Sequence, residues 1–202
     1  MSLLIQTPVR HVLACLTLLL CLGTGGFLVA AQNYEVVSKR PLVTRIFDPE
    51  KNETTTSALL IDPQSDEFRG RLVPSSTHPP PDVSLHSVAY TYPTRTPSRP
   101  QAVAFVFMPL DKYKTAPSFS LTADGAVLQE GETTLRELCC VEVNGHNANP
   151  QHVSATVPLE IVERLVQARK VELRLNTKRG KYTFKLNDYQ KKSLAALLDT
   201  MK

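Results

Sequence analysis

The stretch VELRLNTKRGKYTFKL, residues 171–186, predicts a β-hairpin. Apolar and polar residues alternate along both halves of the stretch, and Gly180 lies at the turn between them. Because successive side chains of a strand point to opposite faces of a sheet, each half has one apolar face and one polar face. The stretch therefore predicts an antiparallel sheet that is covered on one face and solvated on the other.

The same residues predict the register of the hairpin. Large apolar side chains should lie opposite one another, because a slip of one residue would move the whole apolar set to the solvated face. The pairs that satisfy this condition are Val171 with Leu186, Leu173 with Phe184, and Leu175 with Tyr182. In this register Glu172 faces Lys185 across the polar face.

Helices are predicted on both sides of the hairpin. Before it, Pro158 suits the first turn of a helix, and apolar residues follow at helical spacing through about Ala168. After it, Asn187 and Gln190 have the spacing of a capping box. A short strand, residues 153–157, precedes the first helix. We therefore predict an α+β fold with a strand-helix-hairpin-helix ending, in which two C-terminal helices pack on one face of an antiparallel sheet.

Composition divides the chain into four parts. Residues 1–31 are an apolar leader, and residues 32–73 mix short strands with loops. Residues 74–100 hold seven of the 15 prolines, which predicts an extended loop or semi-rigid linker, although residues 83–92 inside it could pair as an edge strand. Residues 101–202 are the predicted α+β core domain, with a central strand over residues 102–108.

The leader predicts export. Residues 12–31 contain no charged residue, Arg10 precedes them, and small residues end the run at Ala31. A basic start, an apolar centre and a small-residue exit are typical of a secretory signal peptide, which would be cut after Ala31. Twenty apolar residues can also span a bilayer, so an uncleaved membrane anchor is the alternative. Both interpretations place the remainder in the periplasm, outside the cell, or at the outer face of a membrane.

Basic residues are concentrated near the end of the chain. Residues 164–202 contain eleven Lys or Arg and three Asp or Glu, a net charge of +8 in a chain whose total is +4. The residues predicted on or beside the polar hairpin face are Lys170, Arg174, Lys178, Arg179, Lys181 and Lys185. A face of this kind attracts anions such as lipid headgroups, surface polysaccharides or acidic proteins. A solvated edge that lysines protect from aggregation is the alternative. No nucleic-acid partner is expected, because no aromatic residues are interleaved for base stacking.

A second candidate site is a run of thiols and imidazoles. Its members are Cys139, Cys140, His146 and His152. Zinc and copper prefer such ligands, but adjacent cysteines of a strand point to opposite faces, and the spacing is not that of a small zinc module. A vicinal disulfide, a bridge to another chain through Cys140, and two ordinary thiols stay open. No cofactor is predicted.

Local motifs of several enzyme classes are missing. The chain has no G-x-S-x-G, no H-E-x-x-H and no glycine-rich phosphate loop. We therefore expect a non-enzymatic exported protein that binds an envelope component or a partner protein through the basic face. The alternatives are an exported thiol or metal protein that uses Cys139 and Cys140, and a small hydrolase whose carboxylates come from distant strands.

Overall fold

The computed structural model describes most of the chain after the leader. The described residues are 34–61, 83–93, 99–109, 113–137, 141–143, 146–148 and 151–202. The predicted leader with its cleavage site at Ala31, and the adjacent Cys139 and Cys140, lie outside these ranges. No helix within these ranges is both long enough and apolar enough to cross a membrane.

The described residues form thirteen strands and two helices. The strands are β1 (Tyr34–Lys39), β2 (Leu42–Asp48), β3 (Glu53–Leu59), β4 (Val83–Pro93), β5 (Ala102–Pro109), β6 (Ser118–Ala123), β7 (Ala126–Glu132), β8 (Thr134–Glu137), β9 (Val141–Val143), β10 (His146–Ala148), β11 (Gln151–Pro158), β12 (Val171–Thr177) and β13 (Gly180–Lys185). The helices are α1 (Leu159–Gln167) and α2 (Asp188–Asp199).

Antiparallel sheets dominate the fold. One sheet has seven strands in the order β1-β2-β3-β4-β5-β11-β8, a second has four in the order β13-β12-β6-β7, and β9 pairs with β10. Together with the two helices, this arrangement confirms the predicted α+β class in its coarse form. The chain also ends in the predicted order of strand, helix, hairpin and helix, from β11 to α2.

A single large apolar core joins the two main sheets. Val103, Phe105 and Phe107 of β5 are buried, and the ring of Phe107 lies 5.4 Å from the ring of Phe184 in β13. Because β5 lies in the seven-stranded sheet and β13 in the four-stranded sheet, this ring pair connects the sheets across the core. Helix α1 contacts β5 and β11, and α2 contacts β2 and β3.

The hairpin of β12 and β13 has the predicted register. Leu173 pairs with Phe184, Leu175 with Tyr182, and Glu172 with Lys185. Leu173 and Leu175 are completely buried, whereas the polar residues between them face outward. The prediction is correct because the burial of these leucines is incompatible with a shift of one residue.

The predicted start of α2 is also confirmed. Asn187 caps α2: its side chain accepts a hydrogen bond from the Gln190 N–H at 2.9 Å, and the Gln190 side chain accepts one from the Asn187 N–H at 3.0 Å. This reciprocal pair satisfies two backbone donors that a helix start leaves without partners. Pro158, which we expected in the first turn of the first helix, is instead the last residue of β11 and the N-cap residue of α1, one position before that turn.

The proline-rich segment differs from its prediction. The prediction for residues 74–100 is a loop or linker in which residues 83–92 could pair as an edge strand, but β4 is an interior strand between β3 and β5. The eleven residues of β4 contain one proline, Pro93, at the end of the strand, so its ladder keeps its donors. The parts of the segment at 74–82 and 94–98 lie outside the described residues.

The predicted boundaries between the parts that follow the leader do not separate sheets. The seven-stranded sheet contains β1–β3 from residues 32–73, β4 from residues 74–100, and β5, β8 and β11 from residues 101–202. The short strands that follow β7 also pair separately, since β8 pairs with β11 and β9 pairs with β10. Each short strand therefore takes a different partner.

Candidate functional site

The six predicted basic residues lie at one hairpin. We call Lys170, Arg174, Lys178, Arg179, Lys181 and Lys185 the basic hairpin face; all six are exposed. Arg174 pairs with Thr183, and Asn176 pairs with Lys181, so these side chains share the outer face of the four-stranded sheet. The structure therefore places Arg174 on β12, Lys181 and Lys185 on β13, and Lys178 and Arg179 in the turn between them, while Lys170 directly precedes β12.

Thr177 holds the turn of this hairpin. Its hydroxyl oxygen accepts hydrogen bonds from the backbone N–H groups of Arg179 and Gly180, both at 3.1 Å. The same hydroxyl donates to the Gly180 carbonyl at 3.0 Å. These local bonds satisfy backbone groups at the turn and fix Lys178 and Arg179 at the tip of the hairpin.

Asp124 anchors the other end of β12. This residue lies in the turn between β6 and β7, and its carboxylate accepts the N–H of Lys170 at 2.8 Å and the N–H of Arg169 at 3.3 Å. Its own N–H donates to the Lys170 carbonyl at 2.8 Å. The two bonds from the Lys170 and Arg169 backbone hold the pKa of Asp124 below its ordinary value. Asp124 thus fixes the point at which Lys170 joins the sheet.

The face carries little negative charge of its own. Arg174 forms an ion pair with Glu172, with 3.1 Å between Nη2 and Oε2. Within the described residues, Lys181 and Lys185 form neither an ion pair nor a side-chain hydrogen bond. Glu172, which lies opposite Lys185, is paired with Arg174, so both exposed ammonium groups of β13 are without an ion pair in the described part of the chain and can attract anions.

The opposite edge of the same sheet is acidic, which the sequence did not predict. Across the outer face, Lys181 is followed by Asn176 of β12, Ser118 of β6 and Glu132 of β7. In the adjacent row, Thr183 is followed by Arg174 and Ser120, and Glu130 of β7 lies at the same edge as Glu132. Both glutamates are exposed. With strands about 4.8 Å apart, the basic and acidic edges are separated by roughly 14 Å.

The thiol and imidazole candidate is only partly described. Cys139 and Cys140 lie outside the described residues, as does the His146 side chain. His152 is half-buried in β11, directly opposite Arg136 of β8. Burial, and then the positive charge of Arg136, lower the pKa of His152. The described residues contain no cluster of three or more side chains of the kind that hold a metal ion.

A groove of about 680 Å³ lies between the two helices. Its lining includes two carboxylates, Glu163 of α1 and Asp199 of α2. Glu163 pairs with Arg99 at 2.5 Å, and Asp199 pairs with Lys202 at 2.6 Å. Glu163 is 47% exposed and Asp199 is 67% exposed, so both carboxylates lie in solvated surface ion pairs. A general acid of a hydrolase requires instead a carboxyl group whose pKa is raised by burial.

Comparison with known proteins gives little further information. No protein-family model matches the chain, and no curated protein matches it. The chain is similar to the crystal structure of an invasion associated protein B from Bartonella henselae, with a TM-score of 0.39 and 14% sequence identity over 82% of this chain and 97% of that chain. A TM-score this low does not establish a shared fold.

Proposed function

We propose that the chain is a non-enzymatic exported protein that binds an anionic envelope component or an acidic partner protein through the basic hairpin face. The proposal rests on one observation: Lys181 and Lys185 are exposed on the same face of β13 and have no ion pair within the described residues. An acidic side chain paired with either lysine would neutralise its charge within the protein. Without such a pair, both ammonium groups are available to a partner.

The rigidity of the face supports a binding role. Thr177 fixes the turn, Asp124 fixes the start of β12, and Leu173 and Leu175 are completely buried behind the face. Charges on a fixed sheet lose less conformational freedom on binding than charges on a mobile tail, because the backbone is already ordered. Salt should weaken the interaction, since solvated charges are screened.

Charge reversal tests this function. Three probes represent the partner classes: vesicles containing phosphatidylglycerol, immobilised heparin and poly-glutamate. The variant K181E/K185E should bind the probe that the wild type prefers about tenfold more weakly, because two attractions become repulsions. The control K39E/K114E makes the same change in net charge at exposed lysines outside the face and should bind as the wild type does.

Two results would contradict the proposed function. Equal loss of binding in K181E/K185E and K39E/K114E would show that only net charge matters. Failure of the wild type to bind any of the three probes at low salt would remove the proposed function itself. Circular dichroism of both variants checks that the fold is kept.

Export is the second element of the proposal, and it is supported by the apolar residues 12–31 behind Arg10. Mass spectrometry of the protein from its native cell measures the start of the chain. We expect a first residue of Gln32 if the leader is cut after Ala31. An intact start would favour the alternative, in which residues 12–31 anchor the chain in a membrane.

We also propose that α1 and α2 lie side by side on one face of the seven-stranded sheet. The two helices contact each other, α1 contacts β5 and β11, and α2 contacts β2 and β3. The Tyr90 hydroxyl of β4 lies 3.0 Å from the Thr200 hydroxyl at the end of α2. This arrangement leaves the outer face of the four-stranded sheet free for a partner.

A further inference from the structure

The free edge of β13 presents a set of backbone groups beside the basic side chains. The Leu186 N–H donates to the Val171 carbonyl at 3.0 Å. The backbone N–H and C=O groups of odd-numbered residues in β12 therefore point toward β13. The Asp124 N–H donates to the Lys170 carbonyl at 2.8 Å, so the backbone groups of even-numbered residues point toward β6. Because hydrogen-bonding directions alternate along a strand, the N–H and C=O groups of Lys181, Thr183 and Lys185 point to the free edge.

These outward groups have no partner among the described residues. β13 is an edge strand of its sheet, and no described residue donates to or accepts from the backbone of Lys181, Thr183 or Lys185 at that edge. The side chains of the same three residues are exposed on the outer face. Tyr182 and Phe184, which alternate with them, are half-buried on the inner face. The edge therefore offers a ladder of hydrogen bonds, basic side chains on one side and partly exposed aromatic rings on the other.

From this geometry we propose that β13 takes up an extended acidic peptide segment of a partner protein as a fifth, antiparallel strand of the four-stranded sheet. The inference rests on the proposed function and specifies its partner. In β-strand addition, main-chain hydrogen bonds provide affinity and alternate side chains provide specificity. Residues directly opposite one another share a face, so acidic residues opposite Lys181 and Lys185 would meet the two ammonium groups.

The register of β13 defines the peptide. The acidic residues are four positions apart, about 13 Å along a strand. Between them, the central residue lies opposite Thr183 on the outer face, where Thr or Ser fits. The two remaining residues point inward beside Tyr182 and Phe184, where apolar side chains fit. The expected core is therefore Glu-Val-Thr-Val-Glu, or a close variant of it.

The charges also decide against a second copy of this chain as the added strand. Antiparallel pairing of β13 with the same strand of another copy, centred on Thr183, would place Lys181 of each chain opposite Lys185 of the other. Like charges directly opposite one another destabilise a strand pair. An acidic segment replaces this repulsion with attraction, so the lysines that prevent self-pairing select the partner.

The test measures binding of the peptide Gly-Glu-Val-Thr-Val-Glu-Gly to the full chain by fluorescence anisotropy. A peptide of the same composition with its two Glu adjacent is the first control, because adjacent residues of a strand point to opposite faces. N-methylation of the Thr nitrogen should abolish binding, since that N–H points to β13. N-methylation of either Val nitrogen should leave binding unchanged, since those groups point away. These changes leave the protein, and hence its folding, untouched.

Variants of the protein complete the test. K181E/K185E should weaken binding of the alternating peptide about tenfold, and K39E/K114E should leave it unchanged. T183P removes one edge N–H without changing charge, and an edge position whose N–H faces solvent tolerates proline. We expect T183P to lose peptide binding while it keeps binding of immobilised heparin, a polyanion that does not form a strand.

The outcomes separate this inference from the proposed function. Strand addition is overturned if the alternating and rearranged peptides bind equally, or if N-methylation at Thr has no effect; loss of binding in K181E/K185E would still support the anionic partner. Binding of phosphatidylglycerol vesicles or heparin through the same lysines, with no peptide binding, would identify a lipid or polysaccharide and also overturn strand addition. Failure of every anionic probe would end both proposals.

Discussion

The two hairpins of the four-stranded sheet differ in their turns. The turn between β6 and β7 uses Asp124 and Gly125, whose φ angles are 50° and 85°. The turn between β12 and β13 uses Lys178 and Arg179, neither of which has a positive φ, and the Thr177 hydroxyl satisfies its backbone groups. The first turn therefore has two residues at positive φ, whereas in the second a side-chain acceptor satisfies the backbone and Gly180, with a φ of 159°, follows the two turn residues. The second turn carries Lys178 and Arg179 at its tip.

The edge strands of the two hairpins differ even more. β13 carries Lys181 and Lys185 on the outer face, and β7 carries Glu130 and Glu132. β7 has an irregular register with β6 near Leu121, whereas β13 pairs with β12 without interruption. A bulge weakens an edge as a template for a further strand. This difference agrees with our proposal that β13, and not β7, takes up a partner, and four measurements test the comparison.

The largest expected effect comes from one apolar side chain on each of the two edge strands. Phe184 of β13 packs against Phe107, so F184A should lower the free energy of unfolding by about 2 kcal/mol or more. Val127 of β7 is 60% exposed. V127A should therefore change stability by less than about 0.5 kcal/mol. Urea denaturation of both variants measures the difference, and equal losses would contradict the packing described for β13.

The turns should give the next effect. Gly125 has a φ of 85°, a conformation that a side chain disfavours, and no atom lies within 4 Å of the position of an added Cβ. G125A should therefore cost about 1 kcal/mol through backbone strain alone. T177A should destabilise the other hairpin by removing an acceptor for two N–H groups, and T177S should restore it. A stable T177A would show that the hydroxyl does not hold the turn.

A smaller effect is expected from recharging the acidic edge. E130K/E132K should strengthen binding of poly-glutamate about fivefold, because it removes two carboxylates that repel the polyanion and extends the basic surface. The matched control E160K/E163K makes the same charge change on α1, where both glutamates are exposed. If the two variants bind alike, the position of the charge on the sheet has no influence.

The smallest expected effect concerns a third edge strand, β8, in which a basic residue lies opposite a half-buried imidazole. Arg136 faces His152, whose pKa lies below its ordinary value of 6.5. The folded chain then binds fewer protons at this site than the unfolded chain, so stability is fully present above pH 6.5 and falls as the pH is lowered toward the folded pKa. H152Q should flatten this part of the stability curve. An unchanged curve would mean that His152 titrates normally.

Local patterns predicted the basic hairpin face, and non-local pairing determined its surroundings. The register of β12 with β13 follows from alternation within sixteen residues, and the start of α2 follows from Asn187 and Gln190. The pairing of Arg174 with Ser120 joins residues far apart in the chain, so no local pattern placed Glu130 and Glu132 on the same face. β4 was misjudged because neighbouring prolines obscured a run, residues 83–92, that itself lacks proline.

The most direct test of the central claim is a titration of the isotope-labelled protein with poly-glutamate, followed by nuclear magnetic resonance of the backbone amides. We predict that the largest chemical-shift changes occur at Lys181, Thr183 and Lys185, and that they disappear when salt screens the charges. Shifts confined to the groove between α1 and α2, or spread evenly over all exposed lysines, would contradict the assignment of the basic hairpin face as the binding site.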